Sequence, residues 1–320
     1  MDRIIIDCDP GHDDAIALFM AMAAAEAFDI AGITTVAGNI DVVQATRNAR
    51  RICAIARRQD IQIHAGCSRP IVKRLADASG YHGETGLDGL GPDTAEAVPA
   101  ADNRAADFII ETVTGASGPV TLVCLAPLTN LALALIKAPH IAELIGEVVF
   151  MGGARRAGGN VTPCATFNLA CDPHAGHIVA DSGVNLTMVS LDATSQVVVG
   201  SEDIARISRL DGEVAAASAR MLDYFNRRRM ERYGLREDQC SLNDACVVAY
   251  LLDRTLFSGQ SANVSIEMAS GLTQGMSVVD LSGVTGRPRN ALWIDQADSD
   301  GVRALLHRML GRFGRQAHDR

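Results

Sequence analysis

Short apolar runs separated by amphipathic or Ala-rich stretches organise the first two thirds of the chain. They predict strands at Ile4–Cys8, Ile30–Val36, Ile61–Ala65, Val120–Leu125, Val148–Met151 and Leu186–Ser190. Segments such as VTLVCLA and EVVFMGG lack polar alternation, the pattern of parallel strands covered on both faces. Between them, helical spacing or composition marks Asp13–Ala27, Asp41–Arg57, Arg104–Thr114, Leu128–Ile136 and Pro173–Asp181. This order predicts an α/β fold, a mainly parallel, doubly wound (Rossmann-like) sheet flanked by helices.

The last third changes character. Residues 201–253 read as a helical insertion, followed by strand-like pieces at Ala262–Met268, Gly275–Leu281 and Asn290–Ile294 and a final helix. No linker or compositional break interrupts the chain, so residues 1–320 are expected to form a single domain. The Gly-rich, polar stretch Ser79–Asp93 is long enough to serve as an active-site loop.

Composition narrows the options. Aromatic residues make up only 4% of the chain, so aliphatic side chains must fill the core. A formal net charge of −9 argues against nucleic acid as a partner, because no basic excess offsets a phosphate backbone. The eight cysteines include no CxxC pair, which suits thiols in a reducing compartment. No basic segment followed by an apolar core opens the chain, and AIALFMAMAAAEAF is too short for a convincing membrane span. A cytoplasmic protein without a membrane partner is expected.

The chemistry concentrates in RIIIDCDPGHDDAIAL, residues 3–18, where Asp7, Asp9, Asp13 and Asp14 follow the first apolar run. Ligand sites in open α/β sheets lie at the carboxyl ends of strands. Capping of the next helix accounts for one or two of these acids, not four, since like charges held close repel. A hard cation resolves the repulsion, and Ca²⁺ takes six to eight oxygen ligands in flexible geometry. A strand followed by DxD also looks like the phosphoaspartate loop of haloacid-dehalogenase-type phosphatases. Pro-Gly-His-Asp-Asp follows here instead of Gly-Thr, and no partner Lys motif is evident.

DCDPGHDDAIAL resembles the N-terminal signature of the nucleoside hydrolases, the inosine–uridine-preferring N-ribohydrolase family. The resemblance continues in order through ITTVAGN (33–39), HGETGLDGL (82–90), LAPLTNLA (125–132), FMGG (150–153), GNVTPCATFN (159–168), DPHA (172–175) and Asn243-Asp244. It implies calcium-dependent hydrolysis of the N-glycosidic bond of ribonucleosides, in purine or pyrimidine salvage, by a homodimer or homotetramer. The implied calcium ligands are Asp9, Asp14, the backbone carbonyl of Leu125 and Asp244, with Asp9 also the general base. Asp13 and Asn168 are the implied partners of ribose hydroxyls, Asn39 and Asn160 position sugar and water, and His82 lies over the base.

Two positions depart from the family pattern. Thr166 stands where a glutamate usually grips the ribose 5′-hydroxyl, and Asn243 stands where a histidine usually serves the departing base. Arg229 and Tyr233 are candidates to replace that acid. The calcium half of the site is therefore expected intact and the leaving-group half altered, giving an atypical base preference. The alternative is a catalytically weak, calcium-dependent ribose- or nucleoside-binding protein.

Overall fold

The structure is a computed structural model that describes residues 1–75, 83–91, 104–233 and 239–316. The first half comprises β1 (Asp2–Cys8), α1 (His12–Ala23), β2 (Phe28–Thr35), α2 (Val42–Ile55), β3 (Ile63–Ala65), α3 (Ala105–Gly115), β4 (Val120–Cys124), α4 (Thr129–Lys137) and β5 (Ile145–Met151). Then come α5 (Phe167–Cys171), α6 (Pro173–Asp181), β6 (Leu186–Val189), α7 (Leu191–Thr194), β7 (Val198–Gly200), α8 (Ser201–Ile207) and α9 (Glu213–Tyr233). The chain ends with β8 (Gln239–Ser241), α10 (Asn243–Leu252), β9 (Phe257–Ile266), β10 (Ser277–Asp280), β11 (Ala291–Ala297), α11 (Ser299–Leu310) and α12 (Arg312–Gln316).

A nine-stranded sheet runs in the order β10-β9-β11-β6-β5-β4-β1-β2-β3. Every pairing from β3 through β1, β4 and β6 to β11 is parallel, and β9 runs antiparallel to both β11 and β10. The chain winds outward from β1 to β3, then restarts at β4 on the other side of β1. That reversal falls between β1 and β4, the usual place for a ligand site in such a sheet, and Leu125 N–H donates there to the Asp7 carbonyl at 2.8 Å.

Alternation along β1 feeds two cores. Ile4 and Ile6 pack with Phe19 and Ile33 on one face, while Ile5 packs with Leu122, Phe150 and Trp293 on the other. Helix α1 is buried along its whole length, which explains its apolar sequence without a membrane. Among the described residues no helix is long and apolar enough to cross one. All eight cysteines are free thiols.

The structure adjusts several boundaries. Helix α1 stops at Ala23, because Ala27 and Phe28 N–H both turn back to the Ala24 carbonyl before β2. Asp41 lies just outside α2 and caps it, accepting from Val43 and Gln44 N–H at 2.9 and 3.0 Å. The helical stretch after residue 200 also holds a small antiparallel pair, β7 with β8, that the sequence pattern does not announce.

Candidate active site

Strand β1 delivers the chain into Asp9-Pro10-Gly11, and α1 starts at once with His12. Pro10 has no N–H to continue a strand ladder. The two free amides of the turn, Asp9 N–H and Gly11 N–H, donate to the Asp14 carboxylate at 3.3 and 3.0 Å. Asp14 thus folds back over its own helix start, and the helix N-terminus favours its negative charge.

Asp9 is held from the opposite side. Its Oδ2 accepts from Asn39 N–H at 2.6 Å, and the Asn39 carboxamide donates more weakly, at 3.3 Å, to Asp9 Oδ1 and Asp14 Oδ2. The approach requires Gly38, where a Cβ would lie 1.9 Å from Asp9 Oδ2. Helix α10 contributes Asp244 at its second residue. The carboxylates of Asp13, Asp14 and Asp244 offer oxygens within 4.8 Å of one another, the one such group of potential metal-binding side chains among the described residues.

The electrostatics of this group are adverse without a cation. Burial, and then the Asp14 charge, pushes Asp9 well above the usual carboxylate range. Burial and the Asp13 charge raise Asp14 to about 8. Asp244 is driven far up by burial and by Asp13 and Asp14, and it shares a hydrogen bond with Asp13. Beneath them, burial lifts Asp7 to about 6 although Thr34 Oγ1 and Asn130 Nδ2 donate to its Oδ1 at 2.6 and 2.7 Å. Asp13 Oδ1 is buried without a partner among the described residues. Hard oxygen donors, mutual repulsion and an orphaned oxygen together fit a hard divalent cation, and no thiol or imidazole competes in the group.

The expected residues fall into place unevenly. Asp14 and Asp244 meet as the sequence implies, but the third member of the tight group is Asp13. Asp9 lies outside that tight group and is hydrogen-bonded by Asn39. The Leu125 carbonyl accepts from Asn168 Nδ2 at 2.7 Å and keeps a second lone pair. The same Nδ2 reaches the Met151 carbonyl at 3.0 Å, so both amide protons are used and Asn168 Oδ1 has no partner among the described residues.

On the other side, Thr166 is fully buried and its hydroxyl accepts from Gly153 N–H at 3.0 Å, tying down the chain after β5. Asn160 is exposed, and its Oδ1 accepts from Phe167 N–H at 2.9 Å at the start of α5. Asn243 Oδ1 accepts from Thr194 Oγ1 at 2.7 Å, which leaves the Asn243 amide protons without a partner among the described residues. Arg229 lies over the Phe225 ring, 5.9 Å from its centroid, and Phe225 stacks on His12 at 5.1 Å. Trp293 is entirely buried against Gly153, so it cannot stack on a base. His82 and the Tyr233 side chain lie outside the described residues.

Two residues at the site have no role implied by the sequence, although Asn130 lies within LAPLTNLA. Asn130 bridges Asp7 and the Thr35 carbonyl, at 2.7 and 3.0 Å. Asn48 reaches the Pro10 carbonyl from α2. Asn48 does leave a trace in the sequence, since it is a polar residue on the stripe of Ala45, Ala49 and Ile52.

Comparisons with known proteins give the family and the fold. The sequence model described as inosine-uridine preferring nucleoside hydrolase matches residues 4–304. The pyrimidine-specific ribonucleoside hydrolase RihA of Shewanella woodyi is 40% identical, across 98% of this chain and 99% of its own. Among solved structures, the plant nucleoside hydrolase PpNRh1 superposes with a TM-score of 0.90 at 29% identity, covering 97% of this chain and 99% of its own. A purine-preferring ribonucleoside hydrolase from Gardnerella vaginalis also reaches 0.90, at 27% identity over 98% and 99%.

Proposed function

The chain belongs to the inosine-uridine preferring nucleoside hydrolase family and is a nucleoside N-ribohydrolase, and from that premise we propose that it cleaves pyrimidine ribonucleosides with calcium in its acidic cluster. The observation that carries the calcium reading is the buried group of Asp13, Asp14 and Asp244 with Asp9 beside it. Asp9, Asp14, Asp244 and the Leu125 carbonyl would hold the ion, with Asp13 the further carboxylate within reach. When bound, calcium neutralises the crowded carboxylates and acidifies water at its surface.

The chain's own residues perform the remaining tasks. Asn39 fixes the Asp9 carboxylate through Oδ2, so Oδ1, with only a long contact, is the oxygen free to take a proton from the attacking water. Breaking the C–N bond builds oxocarbenium-like positive charge on the ribose, which the surrounding carboxylates stabilise. Asp13 Oδ1 and Asn168 Oδ1 accept from ribose hydroxyls, both oxygens being otherwise unpartnered. Thr166 keeps its O–H as a donor near the 5′ end, and Asn160 keeps its amide protons for sugar and water.

Base preference follows from Asn243. A carboxamide does not protonate a leaving group at neutral pH, but it donates hydrogen bonds. Thr194 occupies Asn243 Oδ1 and leaves the amide protons to be donated to a leaving base. A uracil leaving as its anion spreads charge onto its carbonyl oxygens and suits such a donor. A purine that must be protonated in order to depart does not. The pyrimidine specificity named for the Shewanella woodyi relative supports the same reading. Arg229, His82 and Tyr233 are the further base-side residues of this proposal, and a homodimer or homotetramer its assembly.

Release of reducing sugar from uridine, cytidine, inosine, adenosine and p-nitrophenyl riboside tests it. The expected order is p-nitrophenyl riboside first, then uridine, then inosine, because the nitrophenolate needs no assistance. Faster cleavage of inosine than of uridine overturns the base assignment. Binding without any release of ribose would favour the binding-protein alternative.

A further inference from the structure

Asn48 is 2% exposed in the interior of α2, where an unpaired carboxamide would be costly. All its polar atoms are engaged. Nδ2 donates to the Pro10 carbonyl at 2.9 Å and to the Thr85 carbonyl at 2.7 Å, while Oδ1 accepts from Gln44 Nε2 at 2.9 Å. Both Nδ2 partners are acceptors, so the opposite amide orientation would set oxygen against two carbonyls.

The two carbonyls belong to different parts of the chain. Pro10 lies in the turn whose flanking amides, from Asp9 and Gly11, grip Asp14. Thr85 lies in the segment 83–91, whose chain Asp88 draws together through hydrogen bonds. The Asp88 carboxylate accepts from Glu84 N–H and Thr85 N–H at 3.1 Å and also from the Thr85 hydroxyl and Tyr224. His12, next to Asp13, contacts the Asp88 carbonyl at 2.8 Å. Gly86 has φ +80°, and a Cβ there would lie 3.1 Å from Asn48 Nδ2 and 2.9 Å from Ile40. The segment therefore rests directly on the Asn48 amide.

We propose that Asn48 is a positioning residue that locks the cation-holding turn to the segment 83–91, so that cation affinity and nucleoside binding depend on one buried amide. The proposal rests on the calcium reading given above. Outer-shell partners of metal ligands typically matter by about 10–100-fold in affinity or activity. Asn48→Leu, close in shape but without donors, is expected to weaken calcium binding by about 10-fold and to raise the uridine KM at saturating calcium. Gln44→Leu is the control, because it removes only the bond to Oδ1 and should leave both quantities within about 2-fold even if Tm falls.

The test is calorimetric calcium titration of the full chain, uridine kinetics, and hydrogen exchange of the calcium-free protein. In Asn48→Leu, protection should fall together in residues 9–14 and 83–91. If Asn48→Leu does not fold, Asn48→Ser, which keeps one short donor, carries the same expectation. A lower Tm with unchanged calcium affinity and uridine KM would reduce Asn48 to a core residue and overturn the proposal. If the wild type binds no calcium, the reading of the cluster fails. The lock then stands or falls on the exchange data: loss confined to one segment refutes it.

Discussion

At the floor of the site, Asp9 comes from the turn between β1 and α1 and Asp13 and Asp14 from the first residues of α1, and backbone amides of the turn hold Asp14. The rim is assembled otherwise. Asn243 on α10, Arg229 on α9 and the segment 83–91 belong to three separate elements, and their contacts run through side chains. The floor is bound to the sheet, since Asp7 and Leu125 are joined across β1 and β4. A feature fixed by backbone and sheet resists change, whereas side chains on separate helices can be exchanged singly. In this chain the departures from the family pattern, Thr166 and Asn243, both lie off the floor. Bond cleavage should depend on the floor and choice of base on the rim.

The largest expected effect breaks the floor. Asp9→Asn removes the proposed base and should lower kcat on every substrate by about 10²–10⁴-fold. A variant with near wild-type turnover on uridine would show that Asp9 takes no proton.

The next effect divides the floor internally. Asp244→Asn and Asp14→Asn should each weaken calcium binding by at least about 10-fold, measured by calorimetry. Asp13→Asn should act chiefly on ribose binding and raise KM, as expected of a hydroxyl partner. Equal loss of calcium affinity in Asp13→Asn would instead make it a ligand, as the tight grouping of its carboxylate with those of Asp14 and Asp244 allows.

A smaller change sharpens the rim. Asn243→Asp keeps the shape, removes both amide protons and sets a negative charge before a leaving anion. Uridine turnover should fall by about 10-fold, in line with one lost hydrogen bond to a charged partner. p-Nitrophenyl riboside should change by less than about 3-fold. Asn243→His should speed inosine more than the nitrophenyl substrate, and equal effects on both would remove Asn243 from the leaving-group step.

The smallest effect on chemistry concerns Thr166. Thr166→Val leaves the Gly153 amide without its acceptor and should cost about 1–3 kcal/mol of stability, read from denaturant unfolding. kcat on p-nitrophenyl riboside should stay within about 2-fold. A large fall in kcat would place Thr166 on the floor rather than beside it.

The same division governs what the sequence reveals. The turn after β1 is legible because its carboxylates are neighbours in the chain and follow an unbroken apolar run. The parallel strands are legible because burial on both faces leaves no polar alternation. Strand β9 is longer than its apolar part, since Ser258–Ser261 are exposed and carry no core signal. Three-residue strands such as β7 and β8 are too short to show a period. Asn48 joins residues 38 and 37 positions away, so only its intrusion on an apolar helix stripe hints at a role. The bond between Thr194 and Asn243 leaves no local trace at all, since its partners lie 49 positions apart.

In the proposed site, one calcium ion per chain completes the floor. Metal analysis of protein purified without chelator, followed by calcium titration of the stripped protein, tests it most directly. About one equivalent of calcium per chain, loss of uridine hydrolysis on stripping, and recovery as that single site refills are expected. Zinc in the purified protein, or undiminished hydrolysis after complete removal of metal, would contradict it.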